Sequence, residues 1–224
     1  MNIDFHAHIL PAADHGSDSL ETSLRQVKLA RHAGIDVLAA TPHFYPNHES
    51  LEKFLARRKE TELRLREALP NYAPKIIVAA EAHLCRGMEN IDGLEQLCFS
   101  GTNVLLLELP GDFSIRTYEQ TLDVLLYGKK LTIVLAHIDR YSESTIDFLL
   151  DFGFLAQINA SSFCRLRTRK RSMRWATEQR SVVALGSDIH GCDTGYREFL
   201  KMKAKLGKPA YETIMGRTQK LLNL

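Results

Sequence analysis

The sequence predicts an α/β fold in which seven strand and helix units close, or nearly close, into a parallel barrel. Seven short segments rich in Val, Ile, Leu and Ala alternate with stretches whose apolar residues recur at helical spacing. Strands that alternate with helices form a parallel sheet, and strands that are apolar throughout are covered on both faces. The strand segments also end in polar residues, and a parallel barrel assembles its active site at those ends. We therefore expect a functional site there.

The seven predicted strands are apolar runs bounded by polar or turn residues. In chain order they are NIDFHAH, IDVLAATPH, KIIVAAEA, NVLLLELP, LTIVLAH, FLAQINA and VVALGSDIH. Runs this short, bounded in this way, are typical of buried strands.

The predicted helices fill the intervals between these strands. They span residues 19–33, 49–69, 116–129, 143–152, 170–179, 193–206 and 209–222. The clearest is ESLEKFLARRKETELRLREAL, whose charged residues form a solvated outer surface and whose leucines at 51, 55, 63 and 69 lie near one face. No repeat, low-complexity segment or linker interrupts the pattern, so residues 1–224 are predicted to form a single domain.

Composition excludes several classes of protein. With 45% hydrophobic residues the chain can bury a substantial core, which excludes a disordered or fibrous protein. Its 29 basic and 27 acidic residues nearly cancel, so we expect no nucleic-acid or membrane-surface partner. No apolar stretch approaches the roughly 18 residues of a transmembrane helix, and the N-terminus lacks a signal-peptide pattern, so we expect a cytoplasmic location and no membrane insertion. The cysteines are far apart and favour neither a disulfide framework nor a cysteine zinc site; they are Cys85, Cys98, Cys164 and Cys192.

Potential metal ligands end six of the seven predicted strands. They are His6, His8, His43, Glu81, Glu108, His137, Asp188 and His190, whereas the sixth strand ends in Asn159. His6 and His8 are two residues apart, so in a strand both imidazoles point to the same side. One histidine at a strand end is usually a hydrogen-bonded structural residue. So many imidazoles and carboxylates around one barrel mouth would each cost several kcal/mol unless cations neutralised them.

Asp14, six residues after His8, brings the set to nine candidate ligands. Nine ligands are too many for one ion and suit two or three ions that share a carboxylate. The mixture of His, Asp and Glu without Cys favours Mn, Fe or Zn over a thiolate-rich zinc site or a calcium site. The sequence therefore predicts two or three divalent metal ions.

The ordered set of motifs resembles the polymerase and histidinol phosphatase (PHP) superfamily along nearly the whole chain. The set comprises the opening H-x-H with an acid six residues later, the His of TPH, the Glu of AAE, the His of AHIDRY and the D-x-H of SDIH. Within that superfamily the chain is most similar to the manganese-dependent protein tyrosine phosphatases of bacterial capsule and exopolysaccharide synthesis. The segments that carry this similarity are DFHAHIL, AAEAHL, LLLELP, AHIDRY, QINASS and SDIHG.

The resemblance implies a distorted (β/α)7 barrel with a trinuclear site, in which Mn is the expected metal. By matched position, one ion would be held by His6, His8, Glu81 and Asp188, a second by Glu81, Glu108 and His137, and a third by Asp14, His43 and His190, with Glu81 as the bridge. The implied activity is hydrolysis of phosphotyrosine in a protein, such as a bacterial tyrosine kinase of polysaccharide synthesis. Clustered divalent ions neutralise phosphoryl oxygens and lower the pKa of a water, so that hydroxide forms near neutral pH.

Arg140, three residues after His137, is predicted to act with Glu81 as a catalytic residue and to bind substrate. Its guanidinium can donate two parallel hydrogen bonds to a phosphoryl group. The resemblance supports this role, because the Arg of H-x-x-R-Y is a feature of the family. A salt bridge within the loop is the other interpretation. For the general acid, Asp139 and His15 are the candidates.

The sequence departs from the family pattern at two places. His15 stands where members often have a second acid, and FCRLRTRKRS replaces the usual stretch after QINASS. The second departure predicts a basic loop at 163–172, which is either a solvated helix start or a surface that steers an acidic phosphopeptide, with Arg165 and Arg167 as substrate-binding residues. Cys164 is predicted to be structural, because the C-x5-R loop of cysteine-dependent tyrosine phosphatases would need arginine at Lys170.

Three alternative functions stay open. A PHP phosphoesterase for a small metabolite, such as histidinol phosphate or a nucleotide, would have a lidded pocket rather than a shallow mouth. An amidohydrolase also begins with H-x-H on a barrel strand, but that class does not explain Glu108 or the final D-x-H. A catalytically inactive PHP-like binding scaffold should have lost ligands, whereas all nine are present.

Overall fold

The strands form a parallel barrel. The computed structural model describes residues 1–191 and 194–224, and within them lie nine strands. They are β1 (Ile3–Ala7), β2 (Val37–Ala40), β3 (His43–Phe44), β4 (Lys75–Val78), β5 (Glu81–His83), β6 (Val104–Glu108), β7 (Thr132–Leu135), β8 (Leu155–Asn159) and β9 (Val182–Gly186). Paired strands run parallel, in one sheet ordered β1-β2-β4 and a second ordered β3-β5-β6-β7-β8-β9.

Two of the seven predicted strands are each split into two. Thr41 and Pro42 separate β2 from β3, and residues 79–80 separate β4 from β5. At the first break, Pro42 has no N–H to donate to a neighbouring strand. At the second break, Ala80 N donates to the carbonyl of Leu97, at 2.9 Å, rather than to a neighbouring strand. The two halves of each strand therefore pair in different sheets, β2 with β4 and β3 with β5, which distorts the barrel.

The first and last strands meet at the end of the barrel that carries the predicted ligands. Asp188 N donates to the carbonyl of His6 at 2.8 Å, and His8 N donates to the carbonyl of Ile189 at 3.1 Å. Ala7 and Ile189 form a parallel bridge. These bonds join β1 to the segment that follows β9, so the seven strand units form the predicted distorted (β/α)7 barrel.

The helices pack outside the strands. In the part of the chain that the structure describes they are α1 (Leu20–His32), α2 (Leu51–Ala68), α3 (Ile115–Asp123), α4 (Glu143–Asp151), α5 (Leu166–Glu178), α6 (Thr194–Leu206) and α7 (Lys208–Leu221). Ser19, Ser50 and Ser142 cap α1, α2 and α4, because each side-chain oxygen accepts the backbone N–H three residues on. A π-helical turn, Val124–Gly128, extends α3, and two 3-10 helices, Met88–Asn90 and Leu94–Leu97, connect β5 to β6. Among the described helices, none is long and apolar enough to cross a membrane.

Two helix predictions are corrected by the structure. Helix α5 begins at Leu166 rather than at residue 170, so most of the predicted basic loop is helical. Its Trp175 is fully buried, and burial of such a ring, worth about 1.5–3 kcal/mol, holds the helix on the barrel. In α2, Leu51 and Leu65 are buried, but Leu63 is 51% exposed and lies outside the inner face. The helix predicted at 193–206 is described from Thr194 onward, because residue 193 lies outside the described residues.

Candidate metal centre

The strand ends bring the predicted ligands to one side of the barrel. His6 lies on β1 and His8 directly after it, while His43 begins β3 and Glu81 begins β5. The other predicted ligands are Glu108 at the end of β6, His137 two residues after β7, Asp188 and His190 after β9, and Asp14 in the loop after β1. The predicted alternation of His6 and His8 is observed, because their Nε2 atoms lie 3.0 Å apart.

Glu81 stands at the centre of the cluster. Its Oε2 lies 3.1 Å from His6 Nε2, 3.2 Å from His8 Nε2 and 3.0 Å from His43 Nδ1. Its Oε1 lies 2.7 Å from His137 Nε2. The carboxylate is fully buried, yet Oε2 makes no hydrogen bond within the described residues. An oxygen with three nitrogens so close and no hydrogen bond has the surroundings of an atom that shares metal ions with those nitrogens.

Three groups of side chains could each hold an ion, since their ligand atoms lie within 4.8 Å of one another. Among the described residues these groups are His6, His8 and Glu81; His43, Glu81 and Glu108; and His8, His43 and His190. The nitrogen and carboxylate donors suit Mn, Fe or Zn. The residues present therefore fit the predicted metal ions, and Glu81 belongs to two of the groups, as a bridge would.

The groups differ in part from the ligand sets that the resemblance implies. Asp14 belongs to none of them: its Oδ2 lies 2.7 Å from His8 Nδ1 and also accepts from the backbone N–H of His43 at 2.9 Å. This contact leaves His8 Nε2 to face Glu81. His137 is likewise outside the three groups, although its Nε2 also lies 3.5 Å from Glu108 Oε1.

Arg140 reaches the cluster from the loop after β7. One terminal nitrogen, Nη2, donates to Asp188 Oδ2, and Nη1 lies 3.9 Å from Glu108 Oε1. The same Asp188 carboxylate lies 3.6 Å from His6 Nε2 and 3.5 Å from His8 Nε2 through Oδ1. Arg140 thus forms the salt bridge that the sequence offered as its other interpretation, and its partner is the predicted ligand Asp188. Because the arginine side chain is 48% exposed, it also borders the solvent.

Two buried side-chain amides, those of Gln157 and Asn159, contact the predicted ligands. Gln157 Oε1 accepts from His137 N at 2.7 Å and lies 3.2 Å from His6 Nδ1. Its Nε2 donates to Asn159 Oδ1 at 2.9 Å, and Asn159 Nδ2 donates to Asp188 Oδ2 at 2.8 Å. Gln157 is not among the predicted site residues, although a glutamine inside the apolar run FLAQINA is a signal of a buried polar contact.

Charges within the cluster shift the pKa values of the imidazoles and carboxylates. Burial alone would lower the pKa of His8, but the carboxylates of Asp14, Asp188 and Glu81, which lie close to its ring nitrogens, raise it well above 6.5. The pKa of His137 is raised to about 9 against the effect of burial, through hydrogen bonds to Glu108 and Glu81. Burial would raise the pKa of Glu81, but neighbouring His6 and His137 hold it well below its usual range. Burial lowers the pKa of His43 to about 4. The carboxylates thus favour the protonated forms of His8 and His137. Divalent ions would displace these protons on binding.

Two predicted ligands leave their strands in the left-handed region of backbone space. His137 has a φ of 32° and Asp188 a φ of 51°. Such angles are uncommon for residues other than glycine and concentrate at functional sites. They support a functional role for the two turns that present these side chains.

The remaining predicted site residues lie around the cluster. Arg165 lines a cavity of about 170 Å³ together with Arg140 and Asp188, and Arg167 is exposed on the first turn of α5. Of the candidate general acids, His15 is exposed at the mouth, with its ring 4.7 Å from that of His43. Asp139 is buried, and its Oδ1 accepts from Asn159 N at 3.0 Å.

Among the described residues, no cysteine forms a hydrogen bond with a predicted ligand. Cys85 and Cys98 are buried, and Cys164 Sγ faces the carbonyl of Glu198 at 3.9 Å. All three are unpaired. Cys192 lies outside the described residues.

Comparisons with known proteins find similar sequences and structures along most of the chain. Tyrosine-protein phosphatase YwqE of Bacillus subtilis is 27% identical over 202 residues, which make up 86% of this chain and 78% of YwqE. A solved structure from work on YwqE and on CpsB from Streptococcus pneumoniae, described as unique metal-dependent tyrosine phosphatases, matches with a TM-score of 0.81 and 24% identity, covering 99% of this chain and 94% of that chain. A TatD-like protein from Archaeoglobus fulgidus shares the fold with a TM-score of 0.55 and 14% identity, over 99% of this chain and 100% of that chain.

These matches confirm the fold and the family predicted from the motifs. Residues 2–218 match the family described as "Capsular polysaccharide synthesis, CpsB/CapC". The chain therefore belongs to the CpsB/CapC family of capsular polysaccharide synthesis.

Proposed function

We propose that this chain is a metal-dependent protein tyrosine phosphatase with two or three divalent ions, Mn in preference, at the carboxyl ends of its strands. The observation that carries the proposal is the position of the Glu81 carboxylate, which lies within 3.2 Å of three imidazole nitrogens and makes no hydrogen bond through Oε2. Divalent ions bound there would neutralise phosphoryl oxygens and lower the pKa of a water molecule. The family match and the similarity to YwqE support the same function.

Arg140 is proposed to bind the phosphoryl group and to act in catalysis with Glu81. A guanidinium has five N–H donors, and in Arg140 one terminal nitrogen donates to Asp188. The side chain is half-exposed at the mouth, so its other N–H groups can meet a phosphoryl group that arrives from solvent. The Asp188 carboxylate holds the guanidinium beside the predicted ligands, which limits the entropy lost when the phosphoryl group binds.

A phosphorylated protein is the proposed substrate, with a bacterial tyrosine kinase of polysaccharide synthesis as the preferred partner. Two predicted site residues are accessible at the mouth: the side chain of Arg140 is 48% exposed and that of His190 is 25% exposed. A phosphotyrosine on a protein surface needs such access. We infer that the protein acts in the cytoplasm, where the unpaired thiols of Cys85, Cys98 and Cys164 would stay reduced.

The first turns of α5 are proposed to bind acidic segments of that substrate. Arg165, Arg167, Arg169 and Lys170 are exposed and form no ion pair within 4.0 Å with any described residue. Cations near a helix N-terminus oppose the helix dipole, at a cost of about 0.3–1 kcal/mol each. Four cations stand at this helix start, where they do not stabilise the helix. We therefore infer that they bind an anionic partner.

Initial rates of phosphate release by the Mn-loaded protein test the proposal. A phosphotyrosine peptide and histidinol phosphate are compared under identical conditions, before chelation, after chelation and after Mn is restored. We expect a large preference for the peptide. We also expect the activity to be lost after chelation and to recover when Mn is restored. A preference for histidinol phosphate would assign the protein to the small-metabolite phosphoesterases. No release from either by fully metal-loaded protein would favour a binding scaffold, in which chelation should leave partner binding unchanged.

A further inference from the structure

We propose that a cavity between the end of β6 and the start of α4 binds the phenyl ring of phosphotyrosine and so selects aryl over alkyl phosphate esters. This inference rests on the proposed function. The cavity has a volume of about 500 Å³, within the range of small-molecule sites. It opens beside the metal centre, because Glu108, His83 and Arg140 line it.

Part of the cavity wall is apolar and aromatic. Leu109, Phe113 and Tyr141 line it. Leu109 is 2% exposed, so it forms the floor, whereas the two rings are partly buried. Aromatic side chains bind another ring by stacked or edge-to-face contacts, with ring centroids about 4.5–7 Å apart. This wall therefore suits the ring of an aryl phosphate better than the short chain of an alkyl phosphate.

The two rings are held in place by contacts within the protein. Tyr141 donates through its hydroxyl to the carbonyl of Leu109 at 2.9 Å, and the same hydroxyl accepts from Leu109 N at 3.1 Å. Phe113 stacks on Tyr118 with ring centroids 5.7 Å apart and an interplanar angle of 7°. Because both rings are fixed before substrate arrives, little side-chain entropy is lost on binding.

The polar groups of the cavity fix which way a substrate would lie. Arg140 and the Glu108 carboxylate are at the metal-centre end, so the phosphoryl group belongs there. Ser142 and Thr145, at the start of α4, line the cavity as well and are not buried. The phenyl ring would lie against Phe113 and Tyr141, and the peptide backbone would emerge past α4.

The cavity on the other side of Arg140 is unsuited to a phenyl ring. Its volume is only about 170 Å³, and its lining includes the carboxylates of Asp139, Asp188 and Glu198. Placing an aromatic ring there would remove water from charged groups without giving them partners, which is costly. Arg140 thus separates a polar cavity from an aromatic one, and the ring is assigned to the aromatic one.

The test compares two forms of one peptide, phosphorylated on tyrosine or on serine at the same position. The variants Phe113→Ala and Phe113→Leu remove the ring, and the second keeps most of the apolar surface in case the first folds poorly. Tyr127→Ala is the matched control, because it removes a ring that is 68% exposed and lines neither cavity beside Arg140. We expect the ratio of kcat/KM for phosphotyrosine over phosphoserine to fall about tenfold in both Phe113 variants and to stay at the wild-type value in Tyr127→Ala. An unchanged ratio in the Phe113 variants would overturn the proposal.

A binding measurement separates failure of the subsite from failure of the proposed function. Calorimetry on the Mn-loaded protein compares peptides that carry non-hydrolysable phosphonate analogues of phosphotyrosine and of phosphoserine. If the wild-type protein hydrolyses neither ester, the proposed function fails, and these affinities alone decide the subsite. Preference for the aryl phosphonate that Phe113→Leu weakens about tenfold supports it. Equal affinities for the two phosphonates, or a preference that Phe113→Leu leaves intact, contradict it.

Discussion

The side chains of Gln157 and His6 are in contact at the candidate metal centre, where Gln157 Oε1 lies 3.2 Å from His6 Nδ1. The same oxygen accepts from the backbone N–H of His137, and the amide nitrogen donates to Asn159, so the orientation of the amide is fixed. His6 Nδ1 is therefore the donor of the hydrogen bond to Gln157 Oε1. This hydrogen bond orients the ring so that His6 Nε2 faces Glu81, on the side where a metal ion would be held.

Replacing Gln157 with leucine should weaken metal binding. The substitution removes the acceptor that fixes His6, and loss of such supporting partners costs about 10–100-fold in metal affinity. We expect this loss in Mn titrations of the apoprotein. Gln157→Glu should lose less, because a carboxylate oxygen can still accept from both His6 and His137. Gln219→Leu is the control, since the Gln219 side chain donates to the Met1 carbonyl and not to a predicted ligand. Equal affinity in Gln157→Leu and the wild type would show that Gln157 does not orient His6.

Replacing Gly186 with alanine should destabilise the join between β1 and β9. A Cβ at this position would lie 2.7 Å from Gln157 Nε2 and 2.7 Å from His6 Cβ, closer than such atoms approach. Overpacking of this kind costs about 1–3 kcal/mol, so the free energy of unfolding in urea should fall by that amount. Gly216→Ala is the matched control. It lies inside α7 with nothing within 4 Å of the new Cβ, and alanine there should raise helix stability by about 0.5–1 kcal/mol. Equal changes in the two variants would contradict the argument.

The fold and the ligand positions could be predicted because each depends on a local pattern. Apolar runs of strand length alternate with helical spacing, and a parallel barrel brings the residues at its strand ends to one place. His6, Glu81 and Asp188 are far apart in sequence, yet their strand-end positions alone predicted that they meet. The split of two strands was not predicted, because it follows from Pro42 and from a hydrogen bond between Ala80 and Leu97 that only the folded chain shows.

The start of α5 and the role of Gln157 depend on tertiary contacts and could not be predicted. The residue before α5 is Arg165, which provides no side-chain cap, and the basic residues that follow disfavour a helix N-terminus. In the structure Arg171 donates to the carbonyl of Asp139 and Trp175 is buried, and these contacts hold the helix in spite of its sequence. For Gln157, an amide in an apolar strand indicates a buried hydrogen bond but not its partner.

The buried thiol of Cys98 should make stability depend on pH above the usual thiol range. Burial, with Glu95 nearby, raises the pKa of Cys98 to about 12, whereas an unfolded thiol ionises near about 8.5. Between these values the unfolded state loses a proton that the folded state keeps. The free energy of unfolding should therefore fall with rising pH, by up to about 1.4 kcal/mol per pH unit from this group.

Urea unfolding of the wild type and of Cys98→Ala at several alkaline pH values checks this expectation. The variant will be less stable throughout because it leaves a cavity, so the slopes against pH are compared rather than the stabilities. A shallower slope in Cys98→Ala is expected. Identical slopes would mean that Cys98 titrates alike in the folded and unfolded protein.

Reversing two charges on α5 should weaken the binding of acidic phosphopeptides. In the double variant Arg167→Glu and Lys170→Glu, two attractive contacts become repulsive, and exposed pairs are worth about 0.2–1 kcal/mol each. We expect KM for an acidic phosphotyrosine peptide to rise about tenfold at low salt, and the difference from wild type to shrink as salt screens the charges. The loss for p-nitrophenyl phosphate, which has no acidic flank, should be smaller. Lys59→Glu with Arg64→Glu on α2 makes the same change in net charge at exposed positions elsewhere. If that control raises KM equally, net charge rather than the α5 surface attracts the peptide, and the assignment of Arg167 to substrate binding is wrong.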